Sequence, residues 1–272
     1  MDENHKTIIF PLDIQVAREM VKKHKIWLVK DVETGKRIPY FYNINRFVED
    51  EFFYNIRGFV KNELLDIFNF TLNQDSFASM PERCNDLIKY NISDSDFEKF
   101  QNNPGYLNIL TKHVVKNIID SSELVKEESE FDSESTLVNT QNGILDLVSG
   151  ELLKHTPDKL IRNIVNACYI VPSNEMETNM IDSENNTGVS LFYKIISDAL
   201  FDKTKSEIEN KEIISSFIEV LASFLIGNNE HKLVYIIIGE PDTGKSTLIE
   251  ILLEILGSYS TTFNNSALMV SS

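Results

Sequence analysis

The sequence predicts an α+β protein: a mainly helical accessory region with two small β-hairpins, followed by the first strand, loop and helix of an α/β P-loop NTPase domain. Three observations carry this reading. Apolar residues recur at helical spacing through much of residues 13–225. Turn residues interrupt short β-prone stretches near 26–42 and 143–155. An apolar, β-branched run at 233–238 enters the pattern Gly-x-x-x-x-Gly-Lys-Ser. The implied organisation is an accessory domain over 1–230 and the opening of a nucleotide-binding domain over 231–272.

The elements follow in order. Residues 13–25 form an amphipathic helix with Ile14, Ala17, Met20 and Val21 on one side, and Asp13 after Pro11 is its expected cap. Residues 26–29 and 38–42 flank Glu33-Thr34-Gly35-Lys36, a turn signal, so they read as a hairpin. Trp27, the single tryptophan, reads as a packing anchor. Residues 45–72 have helical period, with Phe47, Phe52, Ile56, Phe59, Val60, Leu64, Ile67 and Phe68 expected to fill a core. A second helix follows Pro104-Gly105 with Leu107, Leu110, Val114, Val115 and Ile118 on one face.

Residues 120–135 hold seven acids and one lysine and read as a solvated linker. Beyond them the period changes to that of strands, at 136–139 and 143–148. Asn142-Gly143 and Ser149-Gly150 supply tight turns. Residues 173–187 are polar and unpatterned and read as a loop. Helices are expected over 189–201 and 212–225, the second ending at Gly227.

Composition limits the function. Hydrophobic residues make up 42% of the 272, enough for a packed core. There are 26 basic and 42 acidic residues, a net charge of −16, which disfavours an autonomous nucleic-acid binder. The charge is uneven: residues 1–61 carry 11 bases and 9 acids, a net of +2, and the remainder carries −18. Any basic surface therefore belongs to the first quarter, around Lys22, Lys23, Lys25, Lys30, Lys36 and Arg37. The ordinary reading of those side chains is a solvated face.

Cys84 and Cys168 are far apart, no Cys or His spacing fits zinc, and a disulfide framework is excluded. His5, His24, His113, His155 and His231 are scattered. The first residues lack the basic and apolar regions of a secretory signal, and the run at 233–238 is far short of the ~18–20 residues that span a bilayer. The expectation is a cytoplasmic, membrane-free protein.

The chemistry lies in residues 239–247. Gly239 and Gly244 let the backbone curl so that successive N–H groups face phosphate oxygens, and the following helix adds the positive end of its dipole. Lys245 is placed to reach the β- and γ-phosphates of ATP, the Ser246 hydroxyl to ligate Mg²⁺, and Thr247 to sit near the α-phosphate. Glu240, Pro241, Asp242 and Thr243 complete the loop, and the two acids must turn outward from an anion. The competing reading is a strand-to-helix turn with no ligand. After Ser246 only 26 residues follow, giving one helix and a polar tail. No Walker B acid or charge-stabilising arginine can be assigned, so no catalytic residue is named and the chain is expected to stop inside the nucleotide-binding domain.

The segment Asn142-Gly143-Ile144-Leu145-Asp146-Leu147-Val148-Ser149-Gly150-Glu151-Leu152 resembles the N-G-x-x-D-L-x-x-G-x-L stretch of the poxvirus-type and phage/plasmid-type primase-helicases. Tyr169-Ile170-Val171-Pro172, two helices, the Ile226-Gly227 step, the apolar run and the loop follow in the order seen there. Trp27 with its hairpin is similar to the opening of that family's helicase-associated domain. The resemblance is strongest over 139–172 and 213–257. It implies a superfamily 3 helicase, a ring-forming ATPase that unwinds DNA in the replication of viruses, phages and plasmids, working in the host-cell cytoplasm. Lys245 and Ser246 fall on its nucleotide-binding positions, while Asp146 reads as a structural strand residue. The upstream primase domain has no counterpart. A second reading stays open: a truncated, non-catalytic DNA- or partner-binding module with a vestigial loop.

Overall fold

The computed structural model describes residues 10–170, 187–227, 232–239 and 244–263. Among these the chain forms two compact units that divide between Phe131 and Asp132. This division falls within the acidic stretch expected to be a linker, and well before the motif-based boundary at 230/231.

The first unit packs helices on one face of a small sheet. Helix α1 (Leu12–His24) is followed by strands β1 (Trp27–Lys30), β2 (Arg37–Asn43) and β3 (Arg46–Glu49), then helices α2 (Tyr54–Leu72), α3 (Pro81–Leu87), α4 (Asp94–Asn102) and α5 (Tyr106–Asp120), and strand β4 (Val125–Lys126). The sheet order is β3-β2-β1-β4, with β4 parallel to β1 and the other pairs antiparallel. Val16, Met20, Leu28, Phe41, Ile56, Val60, Leu64, Phe68, Val114 and Ile118 form one buried core between sheet and helices. The opposite sheet face holds Tyr40, Tyr42 and Phe47 in contact with one another or with Phe131.

Three expectations change here. Residues 46–49 are a strand, not the start of the long helix. The turn at Asn43 to Arg46, with Ile44 at φ 58°, returns the chain beside β2, and Phe47 then packs in the sheet. The helix begins only after Phe53, at φ 56°, where the buried Asp50 carboxylate accepts the N–H groups of Asn55 (3.1 Å) and Ile56 (2.8 Å). Phe52, expected in the core, is 74% exposed. In α1, Pro11 rather than Asp13 occupies the cap position. Asp13 instead accepts a hydrogen bond from Asn117 on α5 (3.1 Å).

The second unit contains a three-stranded antiparallel sheet, β5 (Leu137–Thr140), β6 (Gly143–Asp146) and β7 (Leu152–Leu153), in that order. Gly143 is required there: a Cβ on it would lie 2.6 Å from the Leu153 carbonyl oxygen of β7. Three helices follow, α6 (Thr187–Leu200), α7 (Glu207–Ser223) and α8 (Lys245–Leu256). Helix α7 starts earlier than its apolar period suggested because Ser206 and Glu209 form a reciprocal capping box. Ile196, Ile214 and Leu248 bring the three helices together, with Phe192, Tyr193, Phe217 and Leu252 around them. The loop expected over 173–187 lies almost wholly outside the described residues.

Candidate nucleotide-binding site

Helix α8 provides the described half of the phosphate-binding motif. Gly244 precedes it at φ 79°, a left-handed conformation that glycine adopts without the steric cost of a Cβ. The N-cap residue is this glycine, so it brings no side-chain cap of its own. The first intrahelical bond runs from the Leu248 N–H to the Gly244 carbonyl (2.9 Å), so the amides before it have no partner within the helix. Lys245 is half-buried, and Ser246 and Thr247 are exposed. A helix start behind a left-handed glycine can take an anion through backbone N–H groups and the helix dipole.

The helix is anchored at both ends. Leu248 is buried against α6 and α7. At the other end Gly257 turns the chain at φ 55°, the predicted stop. A Cβ there would lie 2.6 Å from the Ile164 carbonyl oxygen. Asn166 donates from its side chain to the Glu254 carbonyl (2.9 Å) and from its backbone to that of Ile255 (2.9 Å). Ser258 Oγ accepts the Ile164 N–H (2.8 Å). The Tyr259 hydroxyl accepts the Asn139 N–H from β5 (3.0 Å), and burial raises that phenol to about 12. Thus α8 is tied to the segment after β7. These tying residues, Asn166 and Tyr259, were not singled out from sequence, because lone polar residues in loops carry no periodic signal.

The Asn142 and Tyr169 parts of the sequence pattern meet directly. The Asn142 side chain donates to the Tyr169 carbonyl (2.8 Å) and accepts the Tyr169 N–H (2.9 Å). Asp146 accepts the Val148 N–H in the turn after β6 (2.9 Å), and that bond holds its carboxyl below the ordinary value. Both residues are structural.

The strand half of the motif differs from expectation. Residues 232–239 have no regular hydrogen-bonded structure, and their side chains are exposed, Val234 at 84% and Ile238 at 89%. A central parallel strand takes its backbone partners and the cover of both faces from neighbouring strands, and neither described sheet includes this run. Gly239 is exposed at the end of this run. Glu240, Pro241, Asp242 and Thr243 lie outside the described residues. Among the described residues no cluster of three His, Cys, Asp or Glu side chains could hold a metal.

Residues 20–220 match the family model described as D5 N terminal like, which is most of the chain. The chain belongs to this family. The D5 N terminal like domain is the N-terminal region of D5-like phage and viral primase-helicases, and D5-like replication proteins act on DNA. The matched span includes the Asn142–Tyr169 clasp and ends before the phosphate-binding motif, so the site at α8 rests on its own residues and geometry. No curated protein sequence matches the chain. Among the described residues no helix is long and apolar enough to cross a membrane.

Proposed function

We propose that this chain is the ATP-binding N-terminal part of a superfamily 3 replicative DNA helicase. In this reading an accessory region is followed near residue 230 by the start of a nucleotide-binding domain, and the whole acts as a ring in the cytoplasm. The observation that carries the proposal is the start of α8. A helix opening on left-handed Gly244 coincides with the Gly-Lys-Ser end of the Gly-x-x-x-x-Gly-Lys-Ser spacing. The amides of Lys245, Ser246 and Thr247 would hold phosphate oxygens. The Lys245 ammonium would neutralise the terminal phosphates, and the Ser246 hydroxyl would orient toward Mg²⁺. The bound ion would supply charge neutralisation during phosphoryl transfer. Gly239, Glu240, Pro241, Asp242 and Thr243 would complete the cradle.

The expected result is Mg·ATP binding that weakens about tenfold or more in Lys245→Ala, since a charge-assisted hydrogen bond is worth about 1.5–3 kcal/mol. Isothermal titration of both proteins measures it, and equal affinities would defeat the proposal. One observation favours a second reading, a binding module with a vestigial loop: the run at 232–239 is not a strand. That reading requires that neither protein bind ATP.

A further inference from the structure

Helix α2 presents one face to solvent that the site above leaves unused. Tyr54, Arg57, Gly58 and Lys61 are spaced i, i+3, i+4 and i+7, so they share a stripe, and all four are exposed. Tyr54 is 82% exposed, and Phe52, just ahead of the helix, is 74% exposed. These are two aromatic rings bare to solvent at the start of the helix. Arg57 and Lys61 form no ion pair among the described residues, and no acid stands on the stripe. The next acids along the helix, Glu63 and Asp66, are both held by Arg83 (2.9 and 2.7 Å), and Glu63 is buried.

Gly58 adds an independent observation. A glycine inside a helix costs about 0.5–1 kcal/mol relative to alanine. Packing inside the chain gives no reason for it, because an added Cβ would meet nothing within 4 Å, and its φ is not left-handed. The stripe therefore combines exposed π-faces, two cations and a point where a partner's backbone can come close.

We infer that this face of α2 binds single-stranded nucleic acid, with Phe52 and Tyr54 stacking on bases and Arg57 and Lys61 contacting phosphates across Gly58. Stacking accepts any base, and phosphate contacts carry no sequence information, so the binding is sequence-tolerant. The chain's overall negative charge does not oppose this. Charges beyond about 8–10 Å are largely screened at physiological salt. Of the three acids just ahead of the helix, Glu49 accepts from Tyr40 and buried Asp50 accepts the first α2 amides, which leaves Glu51 beside Phe52. The inference draws on the family's action on DNA and is independent of nucleotide binding at α8, so either can fail alone.

The test is fluorescence anisotropy of the full chain with a labelled oligo-dT of about 20 nucleotides, without ATP. Tyr54→Ala should weaken binding about tenfold while Tyr54→Phe retains it. Arg57→Ala with Lys61→Ala should reduce the slope of log affinity against log salt by roughly 1.4, two phosphates' worth. Gly58→Leu guards against misfolding as the cause: it should raise the melting temperature, because the space is open and leucine favours helix, and still weaken binding severalfold. Unchanged affinity in Gly58→Leu and Tyr54→Ala would overturn the inference. So would absence of oligonucleotide binding by the folded wild-type chain.

Discussion

Glu63 shows how one buried side chain organises the first unit. Its carboxylate is 5% exposed and accepts from Arg83 (2.9 and 3.2 Å), Tyr90 (2.9 Å) and Lys23 (3.2 Å). Burial alone would push its pKa up, but the hydrogen bonds from Arg83 and Tyr90 and the two cations outweigh that and hold it below 4.5. Beside it His24 stacks face to face on Phe59 at 4.1 Å. Burial and the neighbouring Lys23 lower its pKa below 6.5, against the opposing pull of Glu63. Both folded-state values are depressed, so both contributions are present above the unfolded values and are lost as pH falls. The melting temperature of the first unit should therefore decline in two steps, one beginning near pH 6.5 and a second below pH 4.5. His24→Phe keeps a ring on Phe59 and should remove the first step alone. A wild-type melting temperature that stays flat between pH 7 and 5 would contradict this account of His24. Arg83→Ala should cost about 3 kcal/mol at neutral pH, the lower end for breaking a buried pair, because Lys23 and Tyr90 remain.

At the scale of elements, α8 depends on its far end. Gly257→Ala combines a left-handed φ with a contact 2.6 Å from the Ile164 carbonyl, which must move. We expect a loss of about 2–4 kcal/mol by chemical denaturation, from backbone strain of about 1–3 kcal/mol plus lost hydrogen bonds at Asn166 and Ser258. A loss below 0.5 kcal/mol would show that the helix end is not fixed this way. This glycine was legible in the sequence because a long apolar period stopped at it. So were α1, α5, the hairpin at β1–β2 and the turns at Asn142-Gly143 and Ser149-Gly150. Strand β3 was not, since Phe47, Phe52 and Ile56 mimic a helical period and the break lies in the backbone of Ile44 and Phe53, non-glycine residues with positive φ. Helices α3 and α4 were missed because they bury almost nothing: Leu87 is the only buried residue of the first, and the second has none. The run at 233–238 has the composition of a central strand, yet composition does not supply the neighbours that such a strand pairs with.

At the scale of the molecule, two units share the labour in sequence order. The first carries the basic quarter of the chain and the aromatic face of α2. The second carries the Asn142–Tyr169 clasp, the helix pair α6–α7 and the start of α8. Family membership covers residues 20–220, and the phosphate-binding motif follows it. In the proposed function the amides opening α8 close around a nucleotide's phosphates. Those amides precede the first intrahelical bond, and phosphate oxygens held on them would slow their exchange. Hydrogen exchange of the full chain with and without millimolar Mg·ATP measures this directly. Slowed exchange is expected over residues 239–248 and not elsewhere in α8. Identical exchange there in the presence and absence of Mg·ATP would contradict it.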